Sequence, residues 1–337
     1  MAAKGMVPMQ PRDTVTVLSC LCFDDDDKVK NSAAESLSTL PERIVTGALQ
    51  DELHPTVLDH LAQVFVENPF HIEKILINQN TPDETYERLA DSVRGSLLDI
   101  IANNQVRILR HPPIAKAILR NPATLKSTIE MLMDFAVRTG MDFSSVPAFE
   151  EAKKRVLAAP PDPKEEERIQ QVVIASLPED MLKDEDGQGS ISVEESEEKK
   201  ARMLSRLNTM TVAQKVALAQ KGNKVIRLTL IRDANRSVAV AAIKNPGVNE
   251  SEVAAVVTSR AICDEVLRII CHNREWTKSY QVKLALANNP KTPLAFSMRV
   301  MQSLRVGDLK SLASNKNIPS ALNQAAKKLI DTRAGGR

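Results

Sequence analysis

"ALANNPKTPLAFSM", residues 285–298, carries the organisation of the chain in one phrase. Aliphatic residues at helical spacing run into two asparagines and a proline, and a second aliphatic run opens behind Thr292-Pro293. Each residue type has a local reason to be there. Asn tolerates the left-handed backbone conformation at a helix end, and a following Pro prevents continuation. Thr followed by Pro suits an N-cap with proline in the first turn. The phrase reads helix, tight turn, helix.

It recurs as "AILRNPATLKSTIEML" (117–132), "AIKNPGVNESEVAAV" (242–256) and "LASNKNIPSALNQAA" (312–326). Degenerate copies are "VFVENPFHIEKIL" (64–76) and "IICHNREWTKSY" (269–280). At Thr81-Pro82-Asp83-Glu84 the cap signal is fuller, with Glu three residues after the capping Thr. Between these marks the helices are short, and their apolar residues recur at three and four. Val57, Leu58, Leu61, Val64 and Phe65 form one stripe; Val266, Leu267, Ile270 and Cys271 form another. About nine such helices are expected in the last third of the chain, and none could bury its face alone. Stacked hairpins solve that by sharing a core with their neighbours. The expected fold is all-α, an α-solenoid of short stacked helical hairpins.

Composition agrees. Of 337 residues, 43% are hydrophobic but only 3% aromatic, and there are 11 glycines, a balance that favours helix. No apolar run is long enough to span a membrane, and the start of the chain has no signal-peptide core, so no membrane insertion is expected. Four scattered cysteines do not make a disulfide framework, and a cytoplasmic location is expected.

Charge divides the chain. Residues 1–144 hold 14 basic and 20 acidic side chains, 145–200 hold 8 and 15, and 201–337 hold 23 and 8. The stretch 177–200, rich in Asp, Glu, Ser and Gly, reads as an acidic flexible tether. The expected layout is therefore a disordered 1–9, an acidic repeat block at 10–145 and a linker with short helices at 146–200. A basic repeat block at 201–331 and a disordered tail at 332–337 follow.

Two motifs carry a resemblance. Asp26 to Leu37, "DDKVKNSAAESL", resembles the start of the second helix of a HEAT repeat, and "ALANNPKTP" (285–293) resembles leucine-rich-repeat-variant units, an armadillo-like architecture. The basic block as a whole is similar to a group of uncharacterised bacterial solenoid proteins. The resemblance implies a helical superhelix; its motifs specify shape and not activity. The run Asp24-Asp25-Asp26-Asp27-Lys28 also spells an enteropeptidase cleavage sequence, but Val29, Ala33, Leu37 and Leu40 continue a helical stripe behind it. Its acids read as a helix start, where negative charge is favourable.

The usual nucleotide loops and hydrolase or zinc signatures are absent from the sequence. The five histidines are isolated and expected at surface or capping positions, and Cys20, Cys22 and Cys271 are expected to act as small core residues. One stretch has metal-ligand spacing. In "DEDGQGSISVEE" (184–195), Asp184, Asp186, Gln188 and Ser190 occupy the first ligand positions of a calcium loop. Ser192 could act through water, Glu195 is the twelfth position, and Gly189 sits at the turn. Neutral Gln188 and the charged flanks depart from the pattern. No cofactor is expected.

The other candidate is the cation that follows each turn of the basic block. If hairpins alternate, Arg236, Arg260, Lys291 and Lys316 share one edge, and Lys224, Lys244, Arg274 and Arg305 share the other. Cations at helix C-termini complement the macrodipole, which accounts for the positions but not for the scarcity of acids. The expectation is a non-enzymatic scaffold or adaptor that binds protein partners, acidic ones through this block. The alternative is sequence-independent nucleic-acid binding by phosphate contacts. The oligomeric state has no signature in the sequence.

Overall fold

The computed structural model of the chain describes residues 2–5, 7–160, 162–182, 193–259 and 261–335, the side chains of 193–197, 199, 334 and 335 excepted. Among the described residues the chain is all-helical, with 22 α-helices and no strand, and no helix is long and apolar enough to cross a membrane. It divides into two compact units, Met1–Pro163 and Lys164–Arg337.

In the first unit the helices are α1 (Pro11–Leu21), α2 (Asp27–Ser38), α3 (Glu42–Gln50), α4 (Pro55–Val64), α5 (Pro69–Ile77) and α6 (Asp83–Ser92). They continue with α7 (Ser96–Asn103), α8 (Gln105–Arg110), α9 (Pro113–Arg120), α10 (Lys126–Thr139) and α11 (Pro147–Ala158). Alternate helices touch: α1 meets α3, α3 meets α5, α5 meets α7 and α7 meets α10, while α4 meets α6 and α6 meets α9. The short α8 shifts the alternation by one helix. Val57, Leu58, Leu61 and Phe65 of the first expected stripe are buried, each worth about 2 kcal/mol of apolar transfer.

The second unit holds α12 (Pro163–Ala175), α13 (Val193–Thr209), α14 (Val212–Lys221), α15 (Lys224–Leu230), α16 (Arg236–Ile243) and α17 (Glu250–Val257). After them come α18 (Asp264–His272), α19 (Tyr280–Asn288), α20 (Leu294–Met301), α21 (Val306–Ser314) and α22 (Ser320–Gly335). Here α14 meets α16, α16 meets α18 and α20 meets α22; α17 meets α19, and α19 meets α21. Val266, Leu267, Ile270 and Cys271 are all buried. Leu304, Leu309, Leu312 and Leu322 close the last core cluster.

Several local expectations are corrected. No asparagine is left-handed: Asn121 and Asn289 have φ of −71° and −86°, and among the described residues only glycines have positive φ. The side chain, not the backbone, is what these turns need. Thr81 and Thr292 do not cap α6 or α20, whose N-cap residues are Pro82 and Pro293. Thr81 is buried, and its Oγ1 donates back to the Ile75 carbonyl at 2.5 Å, closing the turn instead of starting the helix. Asp26, by contrast, caps α2 and accepts from the Lys28 N–H at 2.9 Å.

The helices α11 and α12, within the expected linker, pack into the units. Phe149 and Ala152 of α11 are buried in the first unit, Phe149 edge-on to Phe143. Ile169, Val173, Leu177 and Met181 are buried in the second unit, where the Met181 carbonyl accepts from the Asn223 N–H at 2.9 Å. The division between units falls at 163/164, ahead of the acidic stretch. Part of the expected disordered start is tied down too, because Ser36 Oγ donates to the Ala3 carbonyl at 2.8 Å. At the other end, α22 runs to Gly335.

Candidate functional site

The turns of the second unit are held by asparagine side chains. Asn245 Nδ2 donates to the carbonyls of Ala219 (2.9 Å) and Gln220 (2.8 Å) at the end of α14, while its Oδ1 accepts from the Gly247 N–H. Asn289 repeats this with Val257 (2.6 Å) and Ser259 (3.3 Å) beyond α17, and its Oδ1 accepts from the Lys291 N–H. Asn315 Nδ2 then donates to Asn288 Oδ1 at 3.1 Å. The Asn245 and Asn289 bridges satisfy backbone carbonyls at or just beyond helix ends, which have no partner within their own helix, while Asn315 reaches a side chain. Each bridge also draws the end of one helix to the turn one hairpin later. Lys291 and Lys316 thereby follow the ends of α19 and α21, and Lys244 closes α16 beside the Asn245 bridge.

The expected basic residues separate into two groups. Arg236 opens α16 and pairs with Glu265 at 3.0 Å; Lys291 Nζ donates to the Ile262 carbonyl at 3.0 Å. The Arg305 guanidinium lies 4.8 Å from the centre of the Tyr280 ring, and the Tyr280 hydroxyl donates to the Asp308 carboxylate. These three cations are already engaged, which weakens them as free contact points. Lys244, Arg274 and Lys316 are exposed, and among the described residues no side chain pairs with them. Lys224 is exposed at the first position of α15. Arg260 lies outside the described residues.

Buried arginines were not anticipated. Arg227, 8% exposed, donates to the carbonyls of Gly222 (3.1 Å) and Gly247 (3.3 Å) and meets Glu252 at 3.3 Å. A Cβ on Gly247 would approach Arg227 Nη1 and Asn245 Oδ1 to 3.2 Å, so glycine is what admits both side chains. Arg107 of the first unit has the same role. It donates to the Gln79 carbonyl at 2.9 Å, pairs with Asp83 at 2.8 Å and covers the Tyr86 ring at 4.3 Å. Both follow an N-capping asparagine (Asn104, Asn223) by one helical turn, a spacing that could have been read in advance.

Other expected chemistry is sparse. Asp184, Asp186, Gln188, Ser190 and Ser192 lie outside the described residues, and Glu195 falls in α13 with its side chain undescribed. Among the described residues no three potential metal ligands come together. Cys22 and Cys271 are buried as expected, and burial pushes the Cys271 thiol up to about 12. Cys20 is exposed, a correction. His54 caps α4, and His111 meets Glu87 at 2.7 Å. His71, expected at the surface, is buried between Phe65 and Phe70, because its helix turns that face into the core. In the second unit Phe296 is buried and Trp276 and Tyr280 are half-buried, so its aromatics present no open stacking platform. Comparison of the chain with protein-family models, with curated proteins and with solved structures gives no match.

Proposed function

We propose that the protein is a non-enzymatic cytoplasmic scaffold of the α-solenoid kind, whose second unit docks an acidic surface of a protein partner. The solenoid reading is supported by the contacts between alternate helices, each short helix sharing its core with neighbours close in sequence. One observation carries the functional reading. Lys244 and Arg274, behind α16 and α18, and Lys316, behind α21, stand exposed and, among the described residues, unpaired, within a block of 23 basic and 8 acidic residues. Arg236, Lys291 and Arg305 are held by an acid, a carbonyl and a ring of the chain itself, whereas these three side chains are held by none among the described residues. Exposed cations steer association and set specificity more than they add affinity. The lack of an open aromatic platform favours a protein over a single-stranded nucleic acid, whose binding leans on base stacking.

The test is capture of partners by the full chain with and without nuclease, at low and high salt, beside a Lys244→Glu/Arg274→Glu/Lys316→Glu variant. Nuclease-resistant, salt-sensitive capture of a defined acidic protein that the variant loses supports the reading. Capture that disappears with nuclease overturns it in favour of phosphate contact.

A further inference from the structure

The first unit contains a cleft of about 570 Å³ between α1, α4 and α6, inside the size range of about 300–1,000 Å³ usual for ligand sites. Pro55, Val57, Pro82 and Phe23 give its lining an apolar part. Phe23 is 72% exposed, an unusual position for a phenylalanine, and its ring leans on the half-buried His60 at 5.0 Å between centroids. The His60 Nδ1 is buried and has no hydrogen-bond partner. Burial lowers the pKa of this imidazole, against the opposing charge of the nearby Asp59 carboxylate.

The charge around the cleft is net negative, the exposed Lys28 and Lys30 that follow the acidic run being outnumbered by its carboxylates. Arg88 is neutralised by Asp59 at 2.6 Å, and Asp59 also accepts from Gln63 and Thr85. Glu84 is exposed at the rim. Directly after Phe23 come Asp24, Asp25, Asp26 and Asp27, all exposed. Asp24 and Asp26 use one oxygen each on the turn's own N–H groups, which fixes the run in place without neutralising it. An exposed aromatic that lines the cleft is thus followed directly in the chain by a row of carboxylates.

We infer that this cleft is the docking site for a basic peptide segment of a partner protein, which inserts an apolar side chain against Phe23 and His60 and lays its cations along Asp24–Asp27 and Glu84. The apolar anchor covers the surface that Phe23 leaves in water, and the carboxylates set the sign and register of the flanking residues. This surface is separate from the cationic turns of the second unit and stands whether or not those turns bind an acidic partner.

Cys20 lines the same cleft and is exposed, whereas Cys263 is half-buried and Cys22 and Cys271 are buried, so alkylation of Cys20, read on its own peptide, reports occupancy. The experiment measures iodoacetamide labelling of Cys20 in the full chain by peptide mass spectrometry. The probe is a short synthetic peptide alternating Lys with Leu and carrying one Trp. It is expected to slow labelling, and added salt to restore it. Phe23→Ser and, separately, Asp24→Asn/Asp25→Asn/Asp27→Asn are expected to weaken protection about tenfold, the scale of losing one anchor. Asp26 is left in place because it caps α2. Phe23→Leu should keep most of the protection, and Leu157→Ser, at an exposed apolar residue of α11, should keep all of it; circular dichroism confirms that each variant is folded. Equal protection by the Glu-for-Lys peptide, by free indole, or by raising the protein concentration alone would overturn the inference. An unchanged Phe23→Ser variant would overturn it as well.

Discussion

Asn289 and Val257 lie 32 residues apart in the chain, and a hydrogen bond of 2.6 Å joins the side chain of one to the carbonyl of the other. The same bond is made by Asn121 to Ala90 (2.7 Å) and Val93 (2.8 Å), and by Asn78 to Leu49 (3.0 Å) and Asp51 (3.2 Å). Both units therefore use one device. An asparagine at the end of one helix bridges to the end of a helix one hairpin earlier, and the turn behind it is closed by the same side chain.

That device predicts a stability cost larger than a cap is worth. Asn289→Ala and Asn121→Ala each strand two carbonyls and should destabilise their unit by about 2–3 kcal/mol, as buried unsatisfied groups do. Asn235→Ala, which removes only an exposed N-cap on Ser237, should cost about 1 kcal/mol. Urea denaturation checks the ranking; equal losses at the three sites would refute the bridge.

Asp83 should make the first unit acid-sensitive. Burial by itself would raise its carboxyl, but hydrogen bonds and charge from Arg110 and then Arg107 outweigh that and hold it below the usual range. A lowered folded-state value means that the unfolded chain takes up the proton first. The contribution is thus complete above the ordinary Asp value, near pH ~4, and is lost as pH falls through the folded-state value. Asp83→Asn should flatten that limb of the stability curve while lowering stability at neutral pH.

His71 predicts a second pH dependence at a higher pH. It is 4% exposed, neither ring nitrogen has a partner, and burial lowers its pKa against the opposing charge of Glu42. The unfolded chain protonates first here as well, so stability should begin to fall as pH drops below about 6.5 and continue down to the folded-state value. His71→Phe should remove this slope, read from unfolding midpoints across that range.

The sequence Asp24–Lys28 should be a poor enteropeptidase substrate in the native protein. The bond after Lys28 lies inside the first turn of α2, whose start is held by Asp26 on the Lys28 N–H. A protease needs that segment extended, so cleavage should be slow in the native chain and fast once it is unfolded, followed by gel electrophoresis. Cleavage at equal rates would show that this turn opens freely.

Much of this architecture is legible in short words of sequence. The Val266, Leu267, Ile270 and Cys271 stripe is buried as its spacing requires, and Asp26 starts a helix as its position after an exposed turn requires. Thr81 shows where local reading stops. Its sequence context fits a capping box, yet its hydroxyl turns inward to Ile75, because a buried turn must satisfy carbonyls that an isolated helix would leave to water. Arg107 and Arg227 offer only their spacing behind an asparagine cap; their burial is not legible, because an arginine in a short helix looks solvated until the neighbouring hairpin supplies carbonyls and an acid to receive it.

Helix content, helix length and the places where helices break belong to the chain itself, since spacing, caps and prolines act within a few residues. Which cations are free and which are structural belongs to the tertiary arrangement. Lys291 and Lys316 each follow an asparagine turn by a similar spacing, and both are exposed, yet only the first donates to a carbonyl of a neighbouring turn, that of Ile262, among the described residues. The cleft beneath Phe23 is of the same kind. Cys20, His60 and Glu84 come from three different helices, and only packing brings side chains that distant in sequence to one wall.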